Sequence, residues 1–347
     1  MSAEKKDIKS LLLPELTEEL AAEPLALPAW RAKQIFHWLA RGARSFEEMT
    51  DLSAKLRAQL EERYFIPSLS LLRRQTSASD GTEKLLWELP DGESVETVLM
   101  RYRHGNSVCI STQVGCRQGC AFCASTIGGL VRCLQPSEIL DEVIRTSLIT
   151  GEHISNIVLM GIGEPLDNFD NVVRFLRLVN DPEGVNIGMR HISLSTCGLT
   201  ERIDELAELD LQLTLSVSLH APDDETRSRL MPVNRGRGVD ELFAACRRYF
   251  DRTGRRISFE YAMVDGVNDT PYHASLLCER LRGTGSHINL IRLNAVEERT
   301  LNPSPPKTVE AFSDALRAGG LNVTVRRRLG TDIDAACGQL RRKSMQR

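Results

Sequence analysis

The sequence predicts an α/β fold, with a closed or partly open barrel of alternating strands and helices behind a small helical lobe and a short antiparallel β extension. From about residue 108, strand-like apolar runs alternate with amphipathic helical patterns, which is typical of a parallel β/α sheet. Residues 68–112 instead show two-residue periodicity, and the first 65 residues show helical spacing. The predicted units are a helical unit at 1–66, an extension at 67–107, a barrel at 108–330 and a flexible C-terminal arm at 331–347.

The N-terminal unit contains two predicted helices. The first begins after Pro28 and places Trp30, Ile35 and Trp38 at helical spacing, with Gly42 beyond its end. The second runs through 52–64 and carries basic side chains between its apolar ones. Such a unit could dock on RNA or serve only as a packing lobe.

The extension and the barrel follow from the remaining periodic segments. Strands of the extension are predicted at 69–74, 84–89, 95–102 and 108–112. Barrel strands are predicted at 154–160, 191–195, 211–219, 257–263, 288–292 and 321–325, and helices at 136–150, 168–179, 200–208, 239–252, 272–282 and 307–318. In such a barrel the functional residues lie where strands end and loops begin.

Composition predicts a cytoplasmic protein. No apolar run approaches the ~18 residues of a membrane span, and the charged first ten residues lack the apolar region of a secretory signal. Nine cysteines in a reducing compartment indicate metal ligands, redox catalysts or buried small residues rather than structural disulfides. The net charge of −3 does not itself indicate nucleic acid. Local arginine clusters fit either a nucleic-acid surface or solvated helix faces, and they lie at Arg101 and Arg103, at 247–256, at Arg326, Arg327 and Arg328, and at 341–343.

Three cysteines lie close together after a predicted strand. Cys116, Cys120 and Cys123 have three and then two residues between them, and Gly115 and Gly119 allow the loop to fold around one metal centre. Zinc is the alternative, but a structural zinc site needs four ligands and no partner pair of cysteines is evident. An iron-sulfur cluster held by three thiolates would leave one iron open to a small molecule.

A second group of candidates lies at the ends of the following strands. Gly161, Gly163 and Glu164 form a glycine-rich turn whose carboxylate could accept a hydrogen bond from a ligand's ammonium group. Polar or turn residues at later strand ends would line the same ligand, although each alone is more typical of a cap, and they are Ser195, Ser218, Leu219, His220 and Asn294.

Three further residues stand apart. Cys109 lies on the strand before the cysteine loop, where a lone cysteine is usually a buried small residue. Cys337 lies in a polar, arginine-flanked arm, which is a poor place for a core residue and favours an accessible, ionisable thiol. Glu96 lies on an alternating strand, where a glutamate usually faces solvent.

The three-cysteine spacing resembles the signature of the radical S-adenosylmethionine superfamily, and the whole chain resembles the bacterial dual-specificity ribosomal RNA and transfer RNA adenine-C2 methyltransferases. The resemblance implies a radical S-adenosylmethionine β/α barrel, closed or partial. It is carried by Val95-Glu-Thr97, the segment from Cys109 into the cysteine loop, Gly163-Glu-Pro165, Ser218-Leu-His-Ala-Pro222, Met231-Pro-Val-Asn234 and the stretch from 332 to 339.

The resemblance also implies roles. Cys116, Cys120 and Cys123 would hold a [4Fe-4S] cluster, and Gly163, Glu164, Ser195, Ser218, Leu219, His220 and Asn294 would bind S-adenosylmethionine, used twice per turnover. Cys337 would accept a methyl group, and the resulting S-methylcysteine would lose a hydrogen atom to a radical and add to carbon 2 of adenine. Cys109 would then release the product through a transient disulfide with Cys337, and Glu96 would be the proton acceptor.

The chemistry of adenine fits this route, because carbon 2 is electron-poor and resists an ordinary nucleophilic methyl transfer, whereas a carbon radical can add there. The implied partners are 23S rRNA, tRNA and an electron donor such as flavodoxin. The target base must be unstacked or lie in a loop. We expect a monomer that does not bind a membrane. A C8-methylating relative of the antibiotic-resistance type remains the alternative, since spacing does not separate C2 from C8. A non-catalytic zinc RNA-binding module is the remote alternative.

Overall fold

The computed structural model describes residues 5–293, 298–333 and 340–341. The strands are β1 Lys6–Asp7, β2 Tyr64–Phe65, β3 Ser70–Thr76, β4 Glu83–Glu88, β5 Ser94–Tyr102, β6 Gly105–Cys109, β7 Gln113–Gly115, β8 Leu130–Cys133, β9 Ile154–Leu159, β10 Ile192–Thr196, β11 Thr214–Ser218, β12 Ser258–Met263, β13 His287–Arg292 and β14 Asn322–Val325. The helices are α1 Leu13–Ala21, α2 Ala29–Ala40, α3 Ala54–Arg63, α4 Pro136–Thr150, α5 Phe169–Asn180, α6 Thr200–Glu208, α7 Asp224–Leu230, α8 Val239–Thr253, α9 Pro271–Leu281 and α10 Pro306–Ala318.

A ten-stranded sheet organises the molecule, in the order β14-β13-β12-β11-β10-β9-β6-β5-β4-β3. The seven strands from β6 to β14 in this order are parallel, and the connections between them run through helices, as the alternating pattern predicted. Among the described residues β14 and β3 form the two edges, so the barrel is open. The predicted fold class is confirmed.

The antiparallel extension continues the same sheet. β6 pairs with β5 on one side and with β9 on the other, so one strand belongs to both the extension and the barrel. In this register Val98 lies opposite Cys109. Glu96, two residues before Val98 on β5, therefore lies near the end of β6, where the chain continues towards the cysteine loop.

The N-terminal helices share the main apolar core with the barrel. Leu16, Ile35 and Leu60 are fully buried in the same cluster as the barrel strands. Lys9, also fully buried, forms an ion pair with Asp141 of α4. Burial of this apolar surface holds the lobe against the barrel.

Several elements were not predicted. In the N-terminal unit these are the helix α1 and the parallel pair of β1 and β2. In the rest of the chain, the seven-residue helix α7 follows β11, and the short antiparallel pair of β7 and β8 closes the base of the cysteine loop. None of the described helices is long and apolar enough to cross a membrane.

Candidate functional site

A pocket of about 370 Å³ opens where the parallel strands end, at the edge of the sheet predicted to carry function. Its lining includes the three clustered cysteines, Cys109 and most of the polar residues at the strand ends. Sequence-distant candidates thus converge on one cavity.

The cysteine loop rises from the β7–β8 hairpin. Gly115 has φ +78°, and a Cβ there would lie 2.0 Å from the carbonyl oxygen of Gly129, so the hairpin requires glycine. Gly119 also has a positive φ. The amide of Cys116 donates to the Gly129 carbonyl at 2.9 Å, which closes the loop and brings Cys116, Cys120 and Cys123 to the pocket wall.

The thiols are partly or wholly shielded from water. Burial raises the pKa of Cys116 to about 12 and also raises that of Cys120, so metal binding must displace protons from them. Cys116, Cys120 and Cys123 bring three thiols from one loop to one pocket wall, one ligand short of the four that a structural zinc site needs. Three thiolates can instead hold a cluster that leaves one iron open to a small molecule. The donor set therefore fits an iron-sulfur cluster.

The glycine-rich turn packs directly on the backbone that leads to the cysteine loop. A Cβ on Gly161 would lie 2.5 Å from the carbonyl oxygen of Ile110, and one on Gly163, where φ is +112°, would lie 2.7 Å from the Cβ of Gln113. These glycines are needed for contact within the protein. The close packing that they allow brings Glu164 beside the cysteine loop.

Glu164 is 4% exposed and held in one orientation. Its Oε1 accepts from the amide of Leu166 at 3.0 Å, and its Oε2 accepts from the amide of Cys197 at 2.7 Å. Burial raises the pKa of this carboxyl group, while these hydrogen bonds favour its charged form. The side chains of Thr196 and Cys197 also hydrogen-bond to this carboxylate. Glu164 lines the pocket, where its negative charge can attract a bound cation.

The predicted strand-end residues occupy different positions. Ser195, Ser218 and His220 line the pocket. Leu219 is fully buried and does not line the pocket. Its carbonyl accepts a hydrogen bond from Arg227, which helps to fix the turn between Ser218 and His220. Asn294 lies outside the described residues.

His220 is a neutral donor at the pocket wall. Burial and the nearby Arg227 lower its pKa to about 3. Its Nδ1 accepts a hydrogen bond from the amide of Ala262 at 2.9 Å, so the ring proton of the neutral form lies on Nε2. The ring meets Phe122 edge-on, with 4.8 Å between centroids, which ties it to the cysteine loop.

Cys109 is 7% exposed and packs in a small apolar cluster with Val98 and Met100, against which Met160 and Leu329 also pack. It also lines the pocket. The burial expected of a lone cysteine is therefore present, but so is access to the cavity.

Glu96 is 3% exposed, contrary to what is usual for a glutamate on an alternating strand. Residues 95–100 of β5 are all buried, so both faces of this strand are covered. Its carboxylate forms an ion pair with the fully buried Lys84, with Nζ and Oε2 2.8 Å apart. Glu96 lies on the same strand face as Val98, which lines the pocket, but does not line the pocket itself.

The C-terminal arm is held on both sides of its undescribed part. Asp332 accepts hydrogen bonds from the hydroxyl of Ser77 at 2.6 Å and from the amide of Ala78 at 2.8 Å. Leu340 is fully buried, and the amide of Arg341 donates to Glu96 Oε1 at 2.5 Å. The described residues of the arm are thus held by the extension. Cys337 lies outside the described residues.

The arginine clusters differ in their position. Arg101 pairs with Glu83 at 2.7 Å and with Glu152 at 3.0 Å, and Arg248 pairs with Asp204 and Glu241. Residues 326–328 line the pocket, as does Arg292. The positive charge that could receive phosphate lies around the cavity mouth.

Two pocket residues were not singled out from the sequence. Cys197 is 6% exposed, and its thiol also bonds to Glu164. Glu260 is 4% exposed and accepts a hydrogen bond from the side-chain amide of Asn289 at 2.9 Å. The sequence signal for Glu260 was a glutamate at an inward position within a barrel strand. In the structure, burial raises the pKa of this carboxyl group.

Comparisons with known proteins agree with this geometry. Residues 110–276 match the model of the radical SAM superfamily, and residues 22–66 match that of the ribosomal RNA large subunit methyltransferase N-terminal domain. The chain is 50% identical to a probable dual-specificity RNA methyltransferase RlmN of Lachnospira eligens, covering 98% of this chain and 97% of that protein. It is 52% identical to the protein of the same name from Desulforamulus reducens, covering 97% and 95%. The crystal structure of a radical SAM methyltransferase from Sphaerobacter thermophilus has a TM-score of 0.91 at 44% identity, covering 96% of this chain and 98% of that one.

Proposed function

The chain belongs to the RlmN family of radical SAM methyltransferases, and from this membership we propose that it methylates carbon 2 of an adenosine in 23S rRNA and in tRNA. One observation carries the proposal. The three clustered cysteines, Cys109 and the turn at Glu164 lie around a single pocket, although more than 50 residues separate Cys109 from Glu164 in sequence.

Members of this superfamily use a [4Fe-4S] cluster and S-adenosylmethionine. When bound, the cluster supplies the electron that cleaves S-adenosylmethionine to a 5′-deoxyadenosyl radical. Cys116, Cys120 and Cys123 would hold three of its irons. Burial raises the pKa values of Cys116 and Cys120, so these two thiols stay protonated until the metal binds.

The pocket wall would bind S-adenosylmethionine through groups that are already oriented. The Glu164 carboxylate would accept from the ammonium group, since backbone amides fix both of its oxygens. The Nε2–H of His220 would donate, because Nδ1 is engaged with Ala262. The hydroxyls of Ser195 and Ser218 line the same cavity. Gly163, Leu219 and Asn294 complete the proposed set.

Two thiols would divide the methyl chemistry. Cys337 would carry the methyl group as S-methylcysteine and lose one hydrogen atom of it to the 5′-deoxyadenosyl radical. The resulting methylene radical would add to carbon 2 of adenine and link protein to RNA, and the adduct would lose the carbon 2 proton and return one electron to the cluster. The sulfur of Cys109 would then attack that of Cys337, so that a disulfide bond forms as the bond from Cys337 sulfur to the methylene carbon breaks; the carbon keeps the electron pair and takes up a proton to become the methyl group of the product. The apolar cluster around Cys109 keeps water from this sulfur.

Glu96 would accept the proton that leaves carbon 2. Its burial and its ion pair with Lys84 hold the carboxylate in one place. The arm that contains Cys337 is fixed to the extension by Asp332 before the undescribed segment and by Arg341 at Glu96 after it. This arrangement supports placing the thiol and the proton acceptor in one site.

RNA would be held by the arginines at the cavity mouth, residues 292 and 326–328, with the target adenine unstacked to reach the pocket. We also propose a flavodoxin-like electron donor, a monomeric state and a cytoplasmic location, where these RNAs and reductants occur.

The test is anaerobic incubation of the reconstituted protein with S-adenosylmethionine, a reductant and unmodified 23S rRNA or tRNA, followed by mass spectrometry of nucleoside digests. We expect 2-methyladenosine from both RNAs. Formation of 8-methyladenosine alone would assign the protein to the C8-methylating type. A colourless protein that contains zinc and modifies neither RNA would instead support an RNA-binding module.

A further inference from the structure

Arg227 is a buried cation with no described carboxylate at ion-pair distance. The residue belongs to α7 and is 1% exposed. Its guanidinium donates to the carbonyls of Cys197 at 2.6 Å, Ser218 at 3.1 Å and Leu219 at 3.0 Å. The remaining Nη1 donates to Asn234 Oδ1 at 2.8 Å. Burying a charge is costly. A buried cation held only by neutral oxygens therefore indicates that these carbonyls need the hydrogen bonds that it donates.

The three carbonyls lie at the strand ends that form the pocket wall. Those of Ser218 and Leu219 directly precede His220, which has φ +56°, a left-handed conformation that is rare for residues other than glycine. The carbonyl of His220 accepts from the side chain of Asn268 at 2.7 Å. Arg227 and Asn268 therefore hold consecutive carbonyls of this strained turn.

The same helix also touches the cysteine loop. The amide of Ala121 donates to the carbonyl of Leu230, the last residue of α7, at 2.8 Å. Phe122, the next residue, packs edge-on against the ring of His220. α7 thus connects the cysteine loop with the turn that aims His220 into the pocket.

We infer that Arg227 is a positioning residue that fixes the turn at His220 and its contact with the cysteine loop, and so sets the affinity for S-adenosylmethionine without touching it. Arg227 does not line the pocket. Lysine cannot replace it, because one ammonium group cannot reach four oxygens that the planar guanidinium fork reaches from three nitrogens. The inference rests on the proposed function, in which this pocket binds S-adenosylmethionine.

The experiment measures the dissociation constant of S-adenosylmethionine for the cluster-reconstituted protein by equilibrium dialysis, normalised to iron and sulfide content. Arg227→Lys should weaken binding by about 10–100-fold, the range seen when a partner that orients a metal-binding side chain is removed. Arg145→Lys is the matched control, since Arg145 is also buried but pairs with Asp141 on α4. Affinity of Arg227→Lys equal to that of this control would overturn the inference.

A double-mutant cycle separates positioning from general loss of stability. If Arg227 acts through His220, Arg227→Lys should add less than about twofold to the loss caused by His220→Ala. Multiplying losses would overturn the inference. Should Arg227→Lys fail to fold, Asn234→Ala removes the acceptor of Nη1, together with the hydrogen bonds from Asn234 to Asp224 and Ser228. It should weaken binding several-fold with the same non-additivity, and wild-type affinity there would contradict the inference. Wild-type protein that binds no S-adenosylmethionine would contradict the proposed function as well, whereas equal affinity of wild type and Arg227→Lys would contradict the inference alone.

Discussion

The Nζ of Lys84 lies 2.8 Å from Oε2 of Glu96, and both side chains are almost completely buried in the antiparallel extension. The two residues lie on neighbouring strands, where Leu86 is the residue directly opposite Glu96, so the pair is diagonal. Glu96 Oε1 accepts from the amide of Arg341 at the end of the arm. One carboxylate therefore joins the extension to the segment that follows Cys337.

Removing the cation of this pair should destabilise the fold. Lys84→Met leaves the Glu96 charge buried without its cation, and we expect the free energy of unfolding to fall by about 3–5 kcal/mol in urea titrations. The exposed pair of Lys33 and Glu183 supplies the control, and Lys33→Met should cost less than about 1 kcal/mol. If the two variants unfold at the same urea concentration, removing the cation of the buried pair costs no more stability than removing that of the exposed pair, which would contradict this prediction.

Removing the resolving thiol should trap the RNA. With Cys109→Ala and Cys337 intact, the link between protein and RNA forms but has no sulfur to break it, so a covalent complex should accumulate under anaerobic reducing conditions. Denaturing gel electrophoresis with labelled RNA measures it.

Cys246→Ala is the matched control for this experiment, because Cys246 is an equally buried thiol on α8 that does not line the pocket. The control should turn over and leave no covalent complex. Absence of any adduct in Cys109→Ala would count against the two-thiol mechanism.

His220 should make stability depend on pH. Its folded-state pKa, about 3, lies below the usual 6.5, so the unfolded chain binds a proton that the folded chain does not. The stability associated with the neutral ring is present above pH 6.5 and is lost as pH falls towards 3.

His220→Gln should remove this dependence. Between pH 6.5 and pH 4.5, the slope of the unfolding free energy should be shallower than in wild type by up to ~1.4 kcal/mol per pH unit, the value for one proton. Urea titrations across this range measure it, with the exposed His153→Gln as the control. Identical slopes for wild type and His220→Gln would show that the histidine is not held neutral.

The sequence predicted the parts of the fold that repeat. The alternation of strands and helices from residue 108 onward placed β9 to β14 and their helices within a few residues, because both periods extend over several turns or pleats. The compact spacing of Cys116, Cys120 and Cys123 likewise identified the loop that reaches the pocket.

Features set by tertiary contacts could not be predicted. Glu96 is buried because the strand carrying it is covered on both faces, which alternation within that strand does not reveal. α7 is only seven residues long, about two turns, which is too short for its apolar residues to show a clear helical periodicity. The sequence therefore did not indicate a role for Arg227. The β7–β8 pair depends on a backbone approach at Gly115 that only the structure shows.

The origin of the methyl hydrogens distinguishes a radical route through Cys337 from direct methyl transfer. Turnover with S-adenosylmethionine that carries a trideuterated methyl group should give 2-methyladenosine with two deuterium atoms, because a radical removes one from the S-methyl group of Cys337. The third should appear in 5′-deoxyadenosine, and mass spectrometry of both products detects it. A product that retains all three deuterium atoms would indicate direct methyl transfer and contradict the radical route through Cys337.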